Sequence, residues 1–90
     1  MLVNRNVIVP GVGRTSMRLE PVFWEALAEI CHRDDVVLGD LVKRLSGAQI
    51  DEGSRRTSAV RAGVLTYFRT AATEAGHAAA VHGAMDKVLT

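Results

Sequence analysis

Cysteine, proline, aromatic residues and long apolar runs are all scarce in this chain of 90 residues. Cys31 is the single cysteine, so no disulfide can form within the chain, which fits a reducing compartment. No segment approaches the roughly 20 apolar residues that a membrane-spanning helix requires. Apolar residues still make up 48% of the chain, which is enough for a packed core. We therefore expect one small cytoplasmic domain that makes no contact with a membrane.

The residue groupings that carry catalysis, phosphate binding or metal binding are also missing. Residues 10–14, PGVGR, lack the spacing of a phosphate-binding loop. His77 and His82 are five positions apart, about 140° around a helix, so they do not share a ligand face. No nucleophile, base and orienting group can be assembled from the sequence. We expect no enzymatic activity, no cofactor and no bound metal.

A net charge of +1 conceals a separation of the charges along the chain. Residues 1–18 contain three arginines and no acidic residue, and residues 53–73 contain four arginines and no acidic residue. Most of the acidic residues lie in 20–52. Two basic segments in a nearly neutral chain indicate a molecule with one basic face.

Residues 14–19 alternate between polar and apolar side chains, which predicts a short β-strand with one buried face. The two faces contain, respectively, Arg14, Ser16 and Arg18, and Thr15, Met17 and Leu19. Such a strand needs a partner, because its backbone donors and acceptors must be paired. One candidate is residues 6–9, NVIV, in the same chain, and the other is the same strand of a second chain.

Helical spacing of the apolar residues follows the strand. It predicts helices at about 21–33, 38–46 and 57–75, with a glycine-containing loop at 46–56 before the last of them. Pro21 suits the first helical position, where its missing amide hydrogen is not needed. The alanine-rich residues 71–90 are expected to form a helical C-terminal extension.

Three segments together resemble a known family. They are RTSMRLEPVFWEALAEI at 14–30, VVLGDLV at 36–42 and TSAVRAGVL at 57–65. They are similar to a bacterial subfamily of ribbon-helix-helix domains, whose members typically carry G-x-R-T-S-x-x-L-E-x-x-F-W-x-x-L and a later S-S-A-x-R. The resemblance covers about residues 5–70, and its opening motif is matched by Arg14, Thr15, Ser16, Leu19, Glu20, Phe23, Trp24 and Leu27.

The resemblance implies a fold that is mainly helical, with one short strand per chain. Two chains would form an intertwined homodimer, and their strands would pair as an antiparallel two-stranded ribbon between the subunits. Residues 1–70 would be the ribbon-helix-helix domain and 71–90 an added extension. In the wider fold such a ribbon enters the major groove of double-stranded DNA.

The resemblance also assigns roles to individual residues. On the ribbon, the residues that would read the bases are Arg14, Ser16 and Arg18. At the start of the second helix, the candidate phosphate contacts are Val37, Leu38 and Gly39. Arg55 and Arg56, in the loop at 46–56, are further candidates, and that loop would lie either near the DNA backbone or away from it. The expected core of the dimer contains Met17, Leu19, Phe23, Trp24 and Leu27.

Three functions are compatible with these features. The first is a sequence-specific, repressor-like regulator of transcription that binds DNA. A second is an antitoxin-like or adaptor module that uses residues 70–90 to bind a protein partner. The third is a dimeric protein-interaction module that does not bind DNA. Only the first requires the arginines of the strand to touch DNA.

Overall fold

A computed structural model describes residues 1–50 and 53–80, in which a β-hairpin lies against three helices. The elements are β1 (Val3–Val9), β2 (Gly13–Leu19), α1 (Pro21–Asp34), α2 (Leu38–Ser46) and α3 (Gly53–Ala80), with a 3-10 turn at Gly47–Gln49. The expected order of a ribbon, two helices and a further C-terminal helix is confirmed. No helix in the described ranges is long and apolar enough to cross a membrane.

A tight turn closes the hairpin. The amide of Val12 donates to the carbonyl oxygen of Val9 at 3.0 Å, and Gly11 has a φ of 77°. A type II turn favours proline at its second position, here Pro10, and needs a positive φ at its third, which glycine adopts without strain. The turn thus fixes the antiparallel register of β1 against β2.

The strand content differs from the expectation of one short strand per chain. β2 pairs with β1 of the same chain, which extends the candidate segment 6–9 back to Val3. Asparagine has low strand propensity, and the apolar run VIV, which directly follows Asn6, favours a strand only in the second half of β1. Of the two candidate partners for β2, the one in the same chain is therefore the one observed, and the ribbon expected between two subunits stays a prediction.

One apolar core lies between the hairpin and the helices. Met17 and Leu19 of β2 face inward, as the alternation predicts, and are at most 1% exposed. Burial of an aliphatic side chain of this size contributes about 1.5–3 kcal/mol. Among the described residues, the buried apolar side chains of this core are Val7, Val9, Met17, Leu19, Trp24, Leu27, Ile30, Leu41, Val42, Val60 and Val64.

Trp24 connects α1 to the first residue of β1. Its indole nitrogen donates to the carbonyl oxygen of Val3 at 2.9 Å. The guanidinium carbon of Arg5 lies 5.4 Å from the centroid of the indole ring, within the range of a cation–π interaction. Arg5 has the inward phase of β1 but is exposed, so its charge remains in water above the indole ring.

α2 approaches β1 so closely that a glycine is required at one position. Gly39 is buried, and a Cβ atom built on it would overlap the carbonyl oxygen of Ile8. A backbone oxygen cannot move aside as the end of a flexible side chain can. Gly39 therefore sets the distance between α2 and the hairpin.

α3 is longer at its N-terminal end than expected. It begins at Gly53 rather than near 57, so Arg55 and Arg56 belong to the helix and not to a loop. The hydroxyl of Thr57 donates to the carbonyl oxygen of Gly53, four residues earlier, at 2.7 Å. A bond of this kind is made by residues inside a helix, so Thr57 does not cap the start of α3. Within the extension expected at 71–90, α3 continues to Ala80, and residues 81–90 lie outside the described residues.

Substitution of Gly39 tests this close approach. Gly39→Ala should destabilise the fold by roughly 1–3 kcal/mol or more, because the added methyl group would push α2 away from β1. Chemical denaturation monitored by circular dichroism measures the change.

Gly63→Ala in α3 is the matched control. Its new methyl group would meet the end of the flexible Leu45 side chain at 2.7 Å, and alanine also favours a helix by about 1 kcal/mol over glycine. Equal stability of Gly39→Ala and the unsubstituted chain would contradict the close packing of α2 on β1.

Candidate nucleic-acid interface

The face of the hairpin that points away from the helices is exposed and mostly polar. This outer face consists of Asn4, Asn6 and Ile8 from β1 and Arg14, Ser16 and Arg18 from β2. In the register of the hairpin, Asn4 lies opposite Arg18, Asn6 opposite Ser16, and Ile8 opposite Arg14. Residues 1–19 contain no acidic residue, so nothing on the hairpin itself offsets the positive charge of the outer face.

The buried side chains of β2 determine which of its residues belong to the outer face. Thr15, Met17 and Leu19 alternate with the outward residues of β2 and are buried. A shift of one residue in the pairing would turn the arginines into the core and the core residues into water. The outward direction of the three predicted base readers is therefore fixed by packing beneath them.

Three residues of the outer face were missed by sequence reasoning, namely Asn4, Asn6 and Ile8. The signal for them is the alternation of β1, in which Val7 and Val9 are buried and the residues between them are exposed. Asn6 and Ile8 lie within the candidate segment 6–9 but were given no role in the site, and Asn4 lies outside that segment.

One hydrogen bond joins two side chains of the outer face across the strands. The hydroxyl of Ser16 donates to Oδ1 of Asn4 at 2.7 Å. Ser16 lies directly opposite Asn6, so Asn4 is its diagonal neighbour, a separation that side chains can span.

Arg56 contacts the hairpin from α3. Its guanidinium group donates to the carbonyl oxygens of Ser16 and Ile50, each at 2.8 Å. A charged donor at a strand edge satisfies a backbone acceptor and discourages pairing with another strand. Arg56 is half-buried in this position, whereas the neighbouring Arg55 is exposed.

The start of α2 lies beside the hairpin turn. Val37 is exposed, Leu38 is half-buried, and Gly39 is buried against Ile8. No side chain caps this helix start, so its first amides are not satisfied by a side-chain acceptor. Lys43, a further residue that sequence reasoning missed, brings its ammonium group close to Gly11 in the turn.

The residues expected in a dimer core fall into two groups. Met17, Leu19, Trp24 and Leu27 are buried within a single chain. Phe23 is half-buried and belongs to an open apolar groove of about 360 Å³ between α1 and α3. We call this the α1–α3 groove; its apolar lining includes Val22, Phe23, Ala26, Leu65 and Phe68.

Two polar contacts attach α3 to the ends of α1. At the first end, Arg61 pairs with Glu20 at 2.8 Å. A hydrogen bond from its own backbone amide, followed by the bond from Arg61, lowers the pKa of Glu20. At the second end, the hydroxyl of Tyr67 donates to Asp34 at 3.0 Å. Desolvation and this bond raise the pKa of Tyr67, so the tyrosine remains a hydrogen-bond donor at neutral pH.

No group of three or more histidine, cysteine or acidic residues that could hold a metal ion occurs in the part of the chain that the structure describes. His82 lies outside the described residues. Burial raises the pKa of the Cys31 thiol, which keeps it in the weakly nucleophilic neutral form.

In a comparison with known families, the model of a family described as ribbon-helix-helix domain matches residues 2–68. These residues include the hairpin, α1, α2 and the first half of α3. No curated protein and no solved structure matches the chain.

Arg56→Ala tests the support that α3 gives to the hairpin. We expect a loss of stability of about 1.5–3 kcal/mol, because a charged donor to two carbonyl oxygens is removed. Arg44→Ala, an exposed arginine of α2, is the matched control and should leave the unfolding midpoint nearly unchanged. Similar midpoints for the two variants would show that the Arg56 contacts contribute nothing to the fold.

Proposed function

We propose, since the chain belongs to the ribbon-helix-helix domain family, that it is a sequence-specific, repressor-like regulator of transcription that binds double-stranded DNA. Members of this family are generally DNA-binding transcription regulators or antitoxins, and such domains are typically non-enzymatic. The observation that carries the proposal is the outer face of the hairpin, where two arginines, two asparagines and a serine stand exposed on a strand pair anchored from below.

The size and chemistry of the outer face suit the major groove of B-DNA. That groove is about 12 Å wide and admits a two-stranded ribbon. Arg14 and Arg18 have the donors to bond guanine N7 and O6, and Asn6 has the donor and acceptor that adenine requires. Ile8 offers an apolar contact for a thymine methyl group. One hairpin thus carries side chains for several base pairs.

Contacts to the DNA backbone would flank the ribbon. The uncapped amides at Val37, Leu38 and Gly39 lie next to the hairpin turn, and helix starts of this kind bind phosphate. Lys43 adds a positive charge near the same turn. Arg55 and Arg56 remain candidate phosphate contacts, although Arg56 would first have to give up its bonds to Ser16 and Ile50.

A homodimer is part of the proposal, because proteins of this family generally bind DNA as dimers. We propose that the second copy of the chain packs on the α1–α3 groove. Val22 and Leu65 line this groove and are 63% and 58% exposed. Large aliphatic side chains that are exposed together on one surface are typical of a protein interface. The β2 edge is a poorer candidate, since β1 takes one side of the strand and Arg56 contacts Ser16 from α3.

The alternatives make different demands. An antitoxin-like or adaptor module would bind a protein partner through residues 70–90, of which 81–90 lie outside the described residues. A protein-interaction module would leave the outer face without contact to DNA. Neither gains support from a specific contact among the described residues.

The test of DNA binding uses Arg18→Ala, with Arg69→Ala on α3 as the control of equal charge. Duplexes are first selected from a random pool with the unsubstituted protein. Loss of Arg18 should weaken binding to the selected duplex about 5- to 150-fold and relax preference at one position of each half-site. Arg69→Ala should change affinity only slightly, because Arg69 lies 13 positions along α3 from Arg56, which contacts the hairpin.

Titrations at several salt concentrations separate base contacts from phosphate contacts. If Arg18 bonds a phosphate instead of a base, all duplexes should be weakened alike and the salt slope should flatten by about one unit. Dissociation constants weaker than about 10⁻⁴ M for both selected and random duplexes would defeat the proposal in favour of a protein-interaction module.

A separate test concerns the dimer. Leu65→Glu and Val22→Glu should each raise the dimer dissociation constant at least about tenfold, because a carboxylate would be buried against an apolar surface. Val37→Glu is the control, since Val37 is 70% exposed but lies outside the groove. Light scattering over a range of concentrations measures the mass. Unchanged dimers in both groove variants would mean that the second copy binds elsewhere.

A further inference from the structure

We infer that Ser16 acts through Asn4, holding its amide so that the outer face selects guanine in preference to adenine. This inference rests on the proposed DNA-binding function and concerns the base preference of the same site. It makes Ser16 a positioning residue and not one that reads a base itself.

The hydrogen bond between Ser16 and Asn4 fixes which end of the amide is occupied. The hydroxyl oxygen of Ser16 lies 2.7 Å from Oδ1 of Asn4. That length is usual for an O–H···O bond and is short for an N–H···O bond, so it supports oxygen as the occupied end. The acceptor of Asn4 is thereby directed across the ribbon toward β2, and its amide nitrogen keeps two free donor hydrogens.

The occupied oxygen changes what Asn4 can recognise. To bond adenine at two points, asparagine accepts from N6 with Oδ1 and donates to N7 with its nitrogen. The bond from Ser16 occupies one of the two acceptor positions of Oδ1 and turns that oxygen toward β2, so the amide nitrogen is the end of Asn4 left to meet a base. Guanine offers two acceptors, N7 and O6, in the major groove, and adenine offers one acceptor beside a donor.

The neighbours of Asn4 reinforce this preference. Arg18 of β2 lies directly opposite Asn4, and its guanidinium group can only donate hydrogen bonds. Arg14, also on β2, has the same property. Along β2 the two arginines are separated by four residues, about 13 Å, which is close to the rise of four base-pair steps. The geometry points to guanines about four steps apart, with Asn4 beside the one read by Arg18.

Selection from a pool of duplexes with a randomised central segment tests the inference. The chain, Ser16→Ala, Ser16→Thr, Asn4→Ala and the Ser16→Ala/Asn4→Ala double variant are each used to enrich binders, which are then sequenced. In Ser16→Ala the ratio of guanine to adenine should fall at least about fivefold at one position per half-site, since Oδ1 becomes free. Ser16→Thr retains the hydroxyl and should retain the guanine preference.

The double variant separates a positioning role from direct contact. Its base preferences should equal those of Asn4→Ala, because Ser16 has no effect once Asn4 is absent. If removal of Ser16 changes preference equally with and without Asn4, Ser16 reads a base itself and the inference is wrong. Unaltered guanine preference in Ser16→Ala would also overturn it.

Failure of the inference and failure of the proposed function give different results. If the unsubstituted chain enriches no sequence from the pool, DNA reading itself is excluded and the inference with it. If the chain enriches a sequence in which neither arginine position favours guanine, DNA binding stands and the inferred guanine preference is wrong. Thermal melting of each variant should be unchanged, because both side chains are exposed.

Discussion

The antiparallel register of β1 against β2 is the constraint on which the rest of the molecule depends. The Pro10–Gly11 turn fixes it, and it decides at once which side chains form the core and which face solvent. Because successive side chains of a strand point to opposite sides, Met17 cannot be buried unless its neighbours Ser16 and Arg18 face outward. The same strand pairing therefore forms both the core and the outer face. α2 depends on the same register, since Gly39 rests on the backbone of Ile8.

Four arginines around the hairpin and the start of α1 differ in what they contact. Arg56 and Arg61 are half-buried and bound to the protein, the first to backbone oxygens and the second to Glu20. Because the pKa of Glu20 is lowered from its ordinary value of 4.5, the contribution of its ion pair to stability is complete at neutral pH and is lost as the pH falls below 4.5. Arg14 and Arg18 are exposed on the outer face instead, and no acidic residue occurs in the hairpin. Positive charge near the hairpin is thus partly structural and partly available to a ligand.

Elements of secondary structure with a regular spacing of polar and apolar residues could be predicted from the sequence. The phase of β2, the start of α1 at Pro21 and the course of α2 all follow from the spacing of polar and apolar residues over one or two turns of chain. Contacts between distant segments leave no such pattern. Arg56 reaches Ser16 across 40 positions, and Gly39 is required only because the backbone of Ile8 lies against it. β1 was only partly predicted for a third reason: Asn4 occupies a strand position that asparagine seldom favours, and pairing with β2 overrides that propensity. Asn4 was missed with the first half of the strand, whereas Asn6 lies in the predicted segment 6–9 and was missed only as a residue of the candidate site.

A ribbon completed within one chain changes what a dimer contributes. Met17, Leu19 and Leu27 are at most 1% exposed without a second subunit, so the core of the described residues closes inside a single chain. Folding and dimerisation can then be separate equilibria, whereas an intertwined ribbon would join them. In the proposed dimer, each hairpin would meet one half-site, and the distance between half-sites would follow from the α1–α3 groove and its two-fold symmetry. Base preference would depend on side chains such as Asn4 and Ser16, and half-site spacing on Val22 and Leu65. Because these residues lie on different elements, substitutions could alter one property of DNA recognition while leaving the other intact.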